Sequence, residues 1–158
     1  MKYIVAALFC LSLSMANSAY ALDRDCEDFR TWESAQQSYK LSGASDPDNL
    51  DRDRDGVACE VLQIVGQWRL KSICKGRDLE ANVEVKHLGF LRFSAFIENN
   101  HGEYAKSSIR YSQAKEQFTV VSKWDNGSTI EARVKVSQDG NVLRGRDALG
   151  CEFIAYRK

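Results

Sequence analysis

From Gly66 onward the apolar residues recur with a period of two. Trp68, Leu70, Ser72 and Cys74 share one parity, with Arg69, Lys71 and Lys75 on the other. The same alternation runs through Val83/Val85, Leu91/Phe93/Ala95/Ile97, Ala105/Ser107/Ile109/Tyr111, Phe118/Val120/Ser122/Trp124, Ile130/Ala132/Val134/Val136, Leu143 and Cys151/Phe153/Ala155. That period puts one face of each strand in a core and the other in water. Turn signals fall between the runs, at Gly76-Arg77-Asp78, Asn99-Asn100-His101-Gly102, Asp125-Asn126-Gly127-Ser128 and Asp139-Gly140-Asn141. About eight short strands in such a series predict an antiparallel meander, closed or nearly closed into a small β-barrel. Cys74 and Cys151 have the apolar parity of the first and last strands, so a bond between them would staple the sheet's ends. A bridge from this sheet to the preceding segment is the alternative. An eight-stranded barrel is just wide enough to be filled by its own side chains, and these inner faces look bulky, so a packed interior is expected.

The charge balance divides the chain where the periodicity changes. The whole sequence has 22 Lys+Arg and 22 Asp+Glu, which removes any whole-chain argument for nucleic acid. Residues 22–60, however, hold 11 acidic and 5 basic side chains, and residues 61–158 hold 11 acidic and 16 basic. The expected organisation is an export signal at 1–21, an acidic module at 22–62 and the barrel at 63–158, α+β overall. Lys2, the apolar run Ile4 to Met15 and the small-x-small Ala19-Tyr20-Ala21 make the signal, with cleavage before Leu22. The mature protein is then expected in the periplasm or the medium, as a monomer without a membrane span. Cleavage removes Cys10 and leaves Cys26, Cys59, Cys74 and Cys151, an even set that suits two disulfides in an oxidising compartment and allows three connectivities.

In the acidic module, Thr31 can cap a helix carrying Phe29, Trp32, Ala35, Gln36 and Tyr39 at helical spacing, ended by Gly43. Asp46-Pro47 marks a turn. Then follows Asp51-Arg52-Asp53-Arg54-Asp55-Gly56-Val57-Ala58-Cys59-Glu60. Calcium takes about six to eight oxygen ligands, and alternate carboxylates on a curling loop converge on one point. Gly56 permits the bend, Val57 can offer its backbone carbonyl, and Glu60 can close the shell, earlier than in an EF-hand loop. Magnesium fits less well because it keeps its waters. The competing reading is a solvated acidic turn with Arg52 and Arg54 neutralising their neighbours.

Residues 26–60 resemble the Excalibur domain, a small extracellular calcium-binding module of bacterial proteins. The resemblance rests on Cys26, Asp28-Phe29, Ala35-Gln36, Tyr39, Gly43, Asp46-Pro47, Leu50-Asp51 and the D-x-D-x-D-G-x-x-C-E signature from Asp51 to Glu60. It implies a calcium loop with Asp51, Asp53, Asp55 and Glu60 as ligands, and a Cys26–Cys59 disulfide. In the second half, Gly66-Gln67-Trp68 is faintly similar to the G-x-W opening of lipocalins, although an aromatic plug at a barrel end accounts for Trp68 equally well.

Catalysis is not expected. The two histidines, His87 on a strand and His101 in a turn, lie beside no free nucleophile; all four mature cysteines suit disulfides, and no G-x-S-x-G occurs. Arg144, Arg146, Arg157 and Lys158 on late strands form a basic face that could meet an anionic surface polymer or protein partner.

Overall fold

The computed structural model describes residues 24–74, 77–89 and 91–158; the export signal expected at 1–21 lies outside the described residues. Thr31 is extended and its hydroxyl accepts from the Ser34 amide at 3.3 Å, which starts α1, Trp32–Ser42. Glu33 in the first turn and Lys40 in the last complement the helix dipole, and Gly43, at φ 71°, ends the helix. The chain then forms the Asp51–Glu60 loop and a 3-10 turn, Glu60–Ile64, that leads directly into the sheet.

Eight strands follow: β1 (Gly66–Cys74), β2 (Arg77–His87), β3 (Arg92–Asn99), β4 (Tyr104–Ser112), β5 (Gln117–Trp124), β6 (Thr129–Val136), β7 (Val142–Asp147) and β8 (Glu152–Arg157). Each pairs antiparallel with the next, and β8 pairs with β1, so the sheet is a closed barrel. Closure satisfies every strand's backbone groups and leaves no free edge. The register sets Trp68 opposite Val83 and Leu70 opposite Ala81 and Ala155, so the apolar parity faces inward all round. Leu91 differs from the strand reading: it takes a left-handed φ of 56° in the turn before β3.

Cys26 bonds to Cys59 and Cys74 to Cys151, with Cα–Cα distances of 5.5 and 4.9 Å. The first bridge fastens the segment before α1 to the end of the acidic loop. The second joins the end of β1 to the start of β8.

One hydrophobic cluster runs from the acidic module into the barrel, through Phe29, Ala35, Leu50, Leu62, Ile64 and Trp68 to the strand residues. At this end the barrel is filled by aromatic rings. Phe118 meets Phe93 edge-on at 5.8 Å and Tyr111 at 4.8 Å, and fully buried Trp68 donates its indole N–H to the Ile64 carbonyl at 2.9 Å. His87 Nδ1 lies 3.2 Å from the Phe29 carbonyl. The Arg157 guanidinium stacks 4.4 Å from the Trp68 ring centroid and donates to the carbonyls of Gln63, Val65 and Gly140. Burial pushes its pKa down, and Glu33, 3.8 Å away, partly offsets this. Arg157 therefore departs from the basic outer face and ties the acidic module to the barrel floor.

The expectation of a packed interior is corrected at the other end. The barrel holds a cavity of about 480 Å³ running from Ile64 and Trp68 to the rim. Its walls use small residues where a filled barrel needs large ones: Ser72, Ala95, Ser122, Ala132 and Ala155 all line it. Phe153 does not fill the space because its ring lies over Gly145, where a Cβ would collide with it.

Candidate metal centre

The acidic loop is held in place before any ion is considered. Cys59 N–H donates to the Leu50 carbonyl at 2.8 Å, closing the loop at its base, and Asp46 accepts from the amides of Leu50 (2.9 Å) and Asp51 (3.0 Å). Gln36 reaches across from α1: its amide donates to the Gly56 carbonyl at 2.9 Å and its oxygen accepts from Ala58 N–H at 2.7 Å. Gly56 sits at φ 91°, a region a side chain rarely tolerates.

Backbone amides of the loop point at its own carboxylates. Asp51 accepts from Asp55 N–H at 3.1 Å on one oxygen and from Gly56 N–H at 2.8 Å on the other; Asp55 accepts from Val57 N–H at 2.8 Å. Each carboxylate oxygen keeps a lone pair after one such bond. Asp51, Asp53 and Asp55 offer oxygens that all lie within 4.8 Å of one another, with Asp51 buried and the other two exposed. Among the described residues no Lys or Arg nitrogen lies within 4.0 Å of these three, so Arg52 and Arg54 form no ion pair with them.

The titration behaviour follows from this crowding. Burial of Asp51 acts to raise its pKa, but the nearby Tyr39 hydroxyl and the hydrogen bonds from the Gly56 and Asp55 amides outweigh it and hold the carboxyl below its ordinary 3.8. The Asp51 carboxylate in turn raises Tyr39. Glu60 is half-buried and is raised above 4.5, first by burial and then by the negative charge of Asp53, Asp55 and Asp51. Glu60 thus feels the cluster without being one of the three converging side chains. Val57 contributes its amide to Asp55.

Hard, anionic oxygens converging on an amide-braced loop are the kind of donor calcium favours, and no soft sulfur or imidazole ligand is among them. Sequence reasoning named the carboxylates but not the bracing roles of Gln36 and Asp46. Both stand among the residues that carry the Excalibur resemblance, Gln36 also as a polar member of an apolar helical stripe and Asp46 as a turn residue.

Residues 23–60 match the family model of the Excalibur calcium-binding domain, a non-catalytic module. No curated protein matches the chain. Among solved structures the chain is similar to a de novo designed fluorescence-activating β-barrel, at 14% identity over 60% of this chain and 93% of that one, with TM-score 0.49. It is also similar to a redesigned β-barrel, mFAP0, bound to DFHBI, at 10% identity over 60% of this chain and 99% of that one, with TM-score 0.46. The chain thus joins an Excalibur-type calcium-binding segment to a closed eight-stranded barrel.

Proposed function

We propose that the protein is an exported calcium-binding protein that holds one ion in the Asp51–Glu60 loop. Asp51, Asp53 and Asp55 supply side-chain oxygens, the Val57 carbonyl supplies a backbone ligand, and Glu60 closes the shell. The observation that carries this is the convergence of three carboxylates, without a paired cation among the described residues, on a loop braced from α1 by Gln36. The leader expected at 1–21 and the two disulfides support a periplasmic or extracellular setting, where calcium modules work at about 10⁻⁴–10⁻³ M. Among the described residues no helix is long and apolar enough to cross a membrane. Calorimetric titration with calcium tests the reading, with magnesium and Asp53→Ala as controls. One-site heat that magnesium does not reproduce and the variant lacks is expected. Equal heats from both proteins, or none at several millimolar calcium, would reject it.

A second reading concerns the barrel's outer face. Arg92 pairs with Arg110, Lys106 with Lys123, Arg133 with Arg146 and Lys135 with Arg144 in the strand register, four like-charge pairs set directly opposite each other. Only Arg146 has a carboxylate partner, Glu152, among the described residues. Opposed like charges are unfavourable until an anion joins them, which favours an anionic polymer or protein partner along β3–β7. Retention on a heparin column that falls steeply with salt, and is lost in Arg133→Glu, is the expected result; salt-independent behaviour would reject it.

A further inference from the structure

We propose that the barrel's hollow is a binding site for an uncharged, largely apolar small molecule carrying one hydrogen-bond acceptor. The cavity's 480 Å³ falls inside the range of about 300–1,000 Å³ that small-molecule sites occupy. It is blind at the floor, where Ile64 and Trp68 are 1% and 0% exposed, and it opens at the rim, where Leu149 in the β7–β8 turn is 67% exposed. Water is a poor tenant for such a space. A held water needs about two to four polar partners, and this wall is aliphatic and aromatic along most of its length.

The few polar groups specify the ligand. The indole N–H of Trp124, a wall residue, is shielded from solvent and has no acceptor among the described residues. An unmet buried donor is costly, and a ligand carbonyl, ether or ring nitrogen would satisfy it. Ser122, also on the wall, shares one hydrogen bond of 2.8 Å with Ser107, so this hydroxyl pair has a second proton to place. Asp147 is the one carboxylate on the wall among the described residues, and its Oδ1 accepts from the amides of Leu149 and Cys151 at 2.9 Å. Its negative charge at the rim works against an anionic headgroup. The donor excess and this charge together favour an uncharged acceptor.

The site is separate from the calcium reading, because none of Asp51, Asp53, Asp55, Val57 or Glu60 lines the hollow. Prodan, an uncharged naphthalene with one carbonyl, is a fitting probe, titrated into the oxidised protein in EDTA and again in calcium. Saturable one-to-one binding with blue-shifted emission is expected. Ala132→Phe and Val120→Phe, which place bulk inside the hollow, should each weaken binding at least tenfold while circular dichroism shows an intact sheet. Trp124→Phe removes the donor and should weaken binding about tenfold, with a further blue shift as the carbonyl loses its hydrogen bond. 1-Dodecanol should displace the probe at lower concentration than laurate does. No saturable binding to the folded protein would overturn the proposal, as would binding undiminished in both folded filling variants. Better displacement by laurate would overturn the uncharged class.

Discussion

The acidic loop and the barrel solve the problem of a small core in opposite ways. The loop is ordered by polar geometry: its amides bond to its own carboxylates, Gln36 clamps it from α1, and Cys26–Cys59 ties it down. Little apolar surface is available to a segment of this length, so covalent and hydrogen-bonded staples take much of the place of a core. The barrel is ordered by period-two burial and closure, and has enough interior to leave part of it empty. The two meet at Trp68, which is roofed by Ile64 and Arg157 and belongs to both. A polar module that cannot fill its own core thus serves as the plug of an apolar one.

Substitutions at the junction, the staple and Glu60 should separate the two regions. The largest effect is expected at the junction. Trp68→Ala removes a fully buried ring from the shared cluster and should destabilise the protein by about 3–5 kcal/mol in urea unfolding. It should also blunt calcium binding, because the plug loses its seat; a barrel-only loss would mean the two regions fold independently. Next comes the loop's staple. Replacing both Cys26 and Cys59 with Ser frees a 33-residue closure, worth roughly 3–4 kcal/mol to the region it constrains. Calcium affinity should fall while the barrel's far-ultraviolet spectrum persists, and unchanged affinity would show that the amide network suffices.

The smallest effect carries a sign. Glu60 has its pKa raised in the fold, so its ionisation costs stability as pH rises through the folded value. Glu60→Gln should therefore raise the melting temperature of the calcium-free protein at pH 7. The gain should vanish below the ordinary value of 4.5, where Glu60 is protonated in folded and unfolded chain alike. In saturating calcium the order should reverse, because the variant loses a ligand. A variant less stable than the parent in EDTA at pH 7 would show that Glu60 is stabilised by something other than a bound cation.

The contrast also governs what could be read from the sequence. The carboxylates were legible because metal chemistry demands particular residue types at alternate positions within one short loop. Gln36 was not, because its partners Gly56 and Ala58 lie 20 and 22 residues away and only the fold brings them together. Strand number and closure were legible from the period-two pattern and the paired parity of Cys74 and Cys151. The hollow was not, since its volume is a sum over Ala95, Ser122, Ala132 and Ala155 on four different strands, none unusual alone. Arg157 lay within reach of sequence reasoning: it continues the inward parity of Phe153 and Ala155, and its charge obscured that signal.

Whether calcium sits among Asp51, Asp53 and Asp55 can be read from terbium luminescence. Asp51 lies near enough to the Tyr39 hydroxyl to raise its pKa, which puts a sensitising ring beside the site. Excitation of the protein should give terbium emission that calcium displaces and that Asp53→Ala abolishes while the variant remains folded. Emission that is absent from the parent, or equally bright in the variant, would contradict the account.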